Sequence, residues 1–157
     1  MDNEEKKSQP EGRELVDLCA RELFARKAEE VVLLELKGIS DVCDSFLIAT
    51  CRSEVQMRAI LNGLRRELRR QGVRPLGTDF ETGARWAVLD LGELMVHLFE
   101  EEHRKYFSLE RLYQDGGHTA LNPADYPMPE RNLLPDEEEG DLNYTDEADG
   151  RTDDAFV

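Results

Sequence analysis

Long apolar runs are missing from this chain. No stretch approaches the ~20 apolar residues that a membrane-spanning helix requires, so a membrane partner is not expected. Cysteine is scarce and odd in number. Cys19, Cys43 and Cys51 form no CxxC pair, and each lies in or beside an apolar run where a thiol behaves as a small hydrophobe. That argues against a disulfide framework and fits a reducing cytosol. The opening residues MDNEEKKSQPEG carry acids and lack the apolar segment of a secretory signal, so neither a signal nor a transit peptide is expected. The expectation is a cytoplasmic protein. Phosphate-gripping and catalytic signatures are absent too: there is no GxxxxGK followed by Ser or Thr, no GxGxxG after a strand, no HExxH and no GxSxG.

Basic residues are outnumbered, 20 Lys and Arg against 35 Asp and Glu, for a formal net charge of -15. The excess is local. Residues 115–157 hold 13 acids against Arg131 and Arg151, a net of -11, whereas residues 12–114 hold 18 acids and 16 bases, a net of -2. A nearly neutral domain with an acidic C-terminal segment follows. With 157 residues and 39% hydrophobic composition the chain can build one ordinary core. The expected division is a flexible N-terminus over 1–12, a folded domain over 13–114 and an acidic, Pro-containing tail over 115–157. In that tail Pro123, Pro127, Pro129, Pro135 and the acidic run at 136–139 leave too little apolar surface to offset the entropy of ordering, so disorder is expected.

Within the domain, Leu15, Cys19 and Leu23 recur at helical spacing and predict an amphipathic helix over about 14–28. The runs at 31–36 and 46–51 are apolar and β-rich, reading as buried strands. Ser53 with Gln56 is a capping box, and Met57, Ile60, Leu61, Leu64 and Leu68 then form a core-facing stripe that Gly72 ends. Residues 86–91 and 94–99 are apolar runs separated by little more than Gly92-Glu93, which predicts a tight hairpin. A last helix over 102–113 would pack through Tyr106, Leu109 and Leu112 or Tyr113. The order α-β-β-α-β-β-α gives an α/β (α+β) fold, a mixed sheet of four to five strands covered by helices.

His97 and His103 lie six apart, wrong for one helical face, and no cysteine is near them in sequence, so no zinc site is expected. A sheet of this order also suits a nucleotidyltransferase-like fold, where a Gly-Ser turn grips phosphate and paired carboxylates hold Mg²⁺. Asp41, Asp44 and Asp90 would be its carboxylates. No Gly-Ser turn precedes them, Asp90 stands alone in its strand, and loop acids beside strands are more often turn-formers. The reading is non-catalytic, with no metal and no cofactor.

Three blocks in register carry a resemblance. DSFLIATCRSEVQ at 44–56, then GARW at 83–86 with DLGE at 90–93 and VHLF at 96–99, then Arg104 with LERL at 109–112, resemble the conserved-pattern blocks of the ribosomal silencing factor (Iojap-like) family. The resemblance covers about residues 13–114. It implies a nucleotidyltransferase-like fold without its active site, a homodimer, and a partner in ribosomal protein number fourteen of the large ribosomal subunit. Occupying that site would bar the small subunit and repress translation. Cys51 stands where the family usually has Gly, Phe107 where Tyr is usual, Tyr113 where Trp is common, and Asp79-Phe80 where Glu-Gly is frequent.

By residue type alone Trp86 reads as core, while the resemblance makes it an interface anchor. His97 shares a strand face with Met95 and Phe99 and reads as a hydrogen-bonded, half-buried residue. The anchors implied by the family blocks are Trp86, Asp90, His97, Tyr106, Phe107 and Glu110. Arg58, Arg65, Arg66, Arg69 and Arg70 lie off the apolar stripe of the second helix and are either a solvated face or a phosphate-contacting surface for ribosomal RNA.

Overall fold

Side chains alternate across a strand and recur every three or four residues along a helix, and both rhythms are realised here. The computed structural model describes residues 9–127, and the expectations for 1–8 and 128–157 lie outside them. The elements run α1 (Arg13–Ala25), β1 (Glu29–Glu35), β2 (Ser45–Cys51), α2 (Glu54–Arg70), β3 (Gly77–Asp79), β4 (Trp86–Asp90), β5 (Leu94–Glu100), α3 (Glu101–Phe107), α4 (Leu109–Leu112) and β6 (Gly117–Ala120). The strands form one mixed sheet in the order β3-β4-β5-β2-β1-β6, with β2 and β5 parallel and the other pairs antiparallel. The expected α/β class is found. Six strands replace the four or five expected, because β3 and β6 are only three and four residues long and carry no apolar alternation.

One face of the sheet is covered over its central strands by the two long helices. Leu47, Ala49 and Cys51 of β2 and Leu94, Val96 and Leu98 of β5 meet Leu15, Cys19 and Leu23 of α1 and Met57, Ile60, Leu61, Leu64 and Leu68 of α2. Each large side chain buried this way contributes roughly 1.5–3 kcal/mol of transfer free energy. At the start of α2 the Gln56 N–H donates to Ser53 Oγ at 3.1 Å, as the capping box predicts. The return bond differs: Gln56 Oε1 accepts from the Arg52 N–H at 2.6 Å, one residue before the cap. Gly72, at φ 84, ends α2 in the left-handed region. The two helices approach at Gly63, where an added Cβ would come within 2.7 Å of Arg26 Nε.

The other face is covered only in part. Phe46, Ile48, Leu34 and Phe99 are buried there under Leu109, while Trp86, Met95, Val32 and Tyr113 are partly exposed around them. The single helix expected over 102–113 is two short helices. Ser108, at φ 46, ends α3 and begins α4. The break corrects the expected packing. Leu109 is buried and Tyr113 rests edge-on against Phe46 at 5.3 Å, whereas Tyr106 is 80% exposed and Leu112 67%.

The C-terminal boundary also differs from expectation. Disorder was expected from 115, yet β6 pairs with β1, Val32 opposite Ala120 and Leu34 opposite His118. Tyr126 then returns to α1. Its ring stacks on Phe24 at 5.6 Å, and its hydroxyl donates to Asp17 Oδ1 at 2.9 Å and accepts from Arg13 Nη2 at 3.3 Å. An edge strand and one aromatic anchor hold this segment, features that the acidic composition of the whole stretch conceals. Among the described residues no helix is long and apolar enough to cross a membrane.

Candidate functional site

The β4–β5 hairpin sets the geometry of the half-covered face. Its register places Trp86 opposite Phe99, Val88 opposite His97 and Asp90 opposite Met95, so all six side chains share one side of the sheet. The Trp86 ring lies 4.7 Å from Phe99 and 4.8 Å from Phe107, and its indole N–H donates to His97 Nδ1 at 3.1 Å. Phe46 meets His97 edge-on at 4.4 Å. Burial pushes the His97 pKa down to about 4, so the ring is neutral near pH 7. Outward, Phe107 touches Tyr106 at 4.9 Å and His103 at 5.6 Å. An aromatic row therefore climbs from buried Phe46 and Phe99 through half-buried Trp86 to Phe107, 42% exposed, and Tyr106.

Charges fringe the row. Arg85 and His103 each approach Glu100 at 3.8 Å, and Lys105 pairs with Glu101 at 3.5 Å on the outer side of α3. An apolar, aromatic centre with a polar rim is the composition of a protein-binding patch. It offers no nucleophile with an activating base.

The structure brings together Trp86, His97, Tyr106 and Phe107, but not Asp90 or Glu110. Asp90 stands at the far end of β4, where its Oδ1 accepts from the Gly92 N–H at 2.9 Å in the hairpin turn. Glu110 Oε2 is occupied by Arg104, from Nε at 3.2 Å and Nη2 at 2.6 Å. Asp44 uses its backbone N–H on the Glu93 carbonyl at 3.1 Å. Among the described residues no three of His, Cys, Asp and Glu gather as a metal site. The three thiols are buried, and burial raises the pKa of each, that of Cys51 to about 12.

Residues 9–154 match the family model for ribosomal silencing factor during starvation. The chain belongs to the ribosomal silencing factor family. It is 39% identical over 103 residues to the ribosomal silencing factor of Halalkalibacterium halodurans, covering 66% of this chain and 88% of that protein. It is 31% identical over 103 residues to that of Bacillus subtilis, covering 66% and 87%. A crystal structure from Bacillus halodurans superposes with a TM-score of 0.61 at 36% identity, covering 70% of this chain and all of that one.

In this silencing factor the candidate arginines lie on the opposite side of the sheet from Trp86, on α2, whose apolar stripe packs in the other core. Arg58 is held by Glu54 at 3.0 Å and lies 5.0 Å over the Phe80 ring. Arg70 pairs with Glu67, Arg65 and Arg66 are half-buried, and Arg69 is exposed with Arg70 at the helix end. Asp79-Phe80 thus gives Arg58 an aromatic platform in place of the family's frequent Gly. Cys51 needs no glycine backbone, because it lies in β2 outside the positive-φ residues.

Sequence reasoning missed Arg104 as an organising residue. It is 8% exposed, and Nη1 donates to the Glu30 carbonyl at 2.7 Å and to Thr50 Oγ1 at 2.8 Å while the other nitrogens hold Glu110. Its place at the head of the family's closing block was the available signal.

Proposed function

We propose that this silencing factor represses translation by docking its aromatic row on ribosomal protein number fourteen of the large ribosomal subunit, where it sterically bars the small subunit. The observation that carries this reading is the Trp86–Phe107–Tyr106 row on a sheet face that α3 and α4 leave half covered. Steric exclusion needs affinity and no chemistry, and affinity is concentrated in a few desolvated anchors, among which Trp and Tyr are over-represented. Trp86, Tyr106 and Phe107 are those anchors. Asp90 shapes the hairpin turn, and Glu110 with Arg104 fixes the helices that carry the exposed rings. Arg69 and Arg70 at the end of α2 are a second, electrostatic contact to ribosomal RNA, with Arg58, Arg65 and Arg66 behind them. A homodimer belongs to the same proposal, with light scattering as its measurement.

The testing experiment is sedimentation of the protein with separated ribosomal subunits. Recovery with free large subunits and loss from joined ribosomes is the expected result. Equal recovery with both subunits, or with neither, overturns the proposal.

A further inference from the structure

We infer that His97 is a positioning residue: it touches no partner itself but fixes the Trp86 indole in the pose that docks, so the partner receives an apolar surface with its one polar atom already satisfied. The inference rests on the docking proposal above and deepens it. His97 is 5% exposed, walled by Val88 and Ile48 in register on the neighbouring strands and by Phe46 edge-on at 4.4 Å. A partner on the outer surface cannot reach a ring so placed without opening the sheet face.

What His97 does reach is the indole. A half-buried tryptophan packed against two phenyl rings, as Trp86 is stacked on Phe99 and tilted against Phe107, can turn either edge outward while keeping both contacts. The hydrogen bond from Nε1 to His97 Nδ1 at 3.1 Å selects one of them, with the N–H turned toward the sheet. Nε1 is the only polar atom of the indole, so with that N–H bonded to His97 the rest of the ring has only carbon to offer. The complementary site on the partner is therefore an apolar recess, and a carbonyl offered to the indole N–H would find no donor. The acceptor role at Nδ1 also fixes the tautomer: the proton resides on Nε2, which has no hydrogen-bond partner among the described residues.

Trp86 is the only tryptophan of the chain, so its indole N–H gives one assignable signal by NMR. In the free full-length protein that proton exchanges slowly if it is bonded to His97. Exchange at the rate of a free indole overturns the inference whether or not the protein binds ribosomes. His97→Leu removes the acceptor, and His97→Asn keeps one close to the Nδ1 position. With large subunits, His97→Leu is expected to weaken binding by about tenfold, the weight of one oriented hydrogen bond, and His97→Asn to restore most of it. The deciding arm is the double substitution: in a Trp86→Phe background, which has no N–H to orient, His97→Leu costs little further affinity. An equal loss in both backgrounds means that His97 acts directly or through the general fold, and overturns the inference. If His97→Leu does not fold, His97→Ala takes its place in both backgrounds: loss of slow indole exchange together with binding upholds the inference, and loss of slow exchange with binding retained overturns it. Wild-type protein that ignores large subunits while retaining a slowly exchanging indole proton defeats the docking proposal and leaves the Trp86–His97 geometry standing.

Discussion

Arg104 donates from Nη1 to the backbone carbonyl of Glu30 at 2.7 Å, bridging 74 positions of sequence. Glu30 has φ 51 and sits where the register of β1 against β2 slips between Glu29 and Val32. A non-glycine residue in that region persists only when its surroundings hold it, and here the guanidinium does so while gripping Thr50 and Glu110. One buried side chain thus ties the bulge of β1 to the helices that carry Tyr106 and Phe107.

Arg104→Met is expected to lower stability by roughly 2–3 kcal/mol, because it strips donors from the Glu30 carbonyl and Thr50 and leaves Glu110 unpaired at a half-exposed site. Urea denaturation at unchanged slope measures it. A midpoint equal to wild type would show that Arg104 contributes nothing net. Glu110→Gln, which keeps an acceptor for Arg104, should cost distinctly less.

Trp86→Ala is expected to leave a cooperative fold and weaken large-subunit association by at least ~2 kcal/mol, about thirtyfold. The half-buried position of the ring on the sheet face predicts that separation of effects. If the variant loses its unfolding transition, Trp86 is a core residue and not an anchor.

Stability should fall in mild acid through His97. Its folded pKa, about 4, lies below the ordinary 6.5 because of burial, so the unfolded chain takes up a proton that the folded chain refuses. The contribution is fully present above pH 6.5 and is lost as pH drops from 6.5 toward 4, to roughly 3 kcal/mol in total. Chemical denaturation at several pH values follows it, and His97→Asn should flatten the slope in that window. An unchanged slope in the variant assigns the acid sensitivity to other groups.

Cutting the chain after residue 127 and after residue 114 should give different proteins. The longer fragment keeps β6 and the Tyr126 contacts with Asp17, Arg13 and Phe24, and the shorter loses both, at a cost of roughly 1–3 kcal/mol. Gly116→Ala tests the same strap without truncation, since the new Cβ would overlap the Glu35 carbonyl oxygen and push β6 off β1. Hydrogen exchange across the β1–β6 pair should then quicken. Equal thermal stability of the two fragments would show that the strap is an ornament of the fold.

The periodic segments were legible in the residues themselves. The α1 and α2 stripes, the capping box of α2, the apolar runs of β2 and β5 and the turn at Gly92 are local patterns, and local patterns report where an element is apolar. The three family blocks were equally legible, because they are residue patterns in fixed order and spacing. What lay over each apolar side was decided only in three dimensions. Tyr106 and Leu112 have the spacing of a buried stripe, yet the left-handed backbone at Ser108 turns both into solvent. That Glu110 pairs with Arg104 and that Asp90 accepts from the Gly92 N–H are likewise facts no local pattern announces. The strap at 117–126 was hidden for the same reason: β6 has no alternation of its own, and its place depends on the unpaired edge of β1, more than 80 residues away in the chain. Apolar periodicity is written residue by residue, whereas exposure, pairing and charge neutralisation depend on which distant segment arrives, and that is a property of the packed molecule alone.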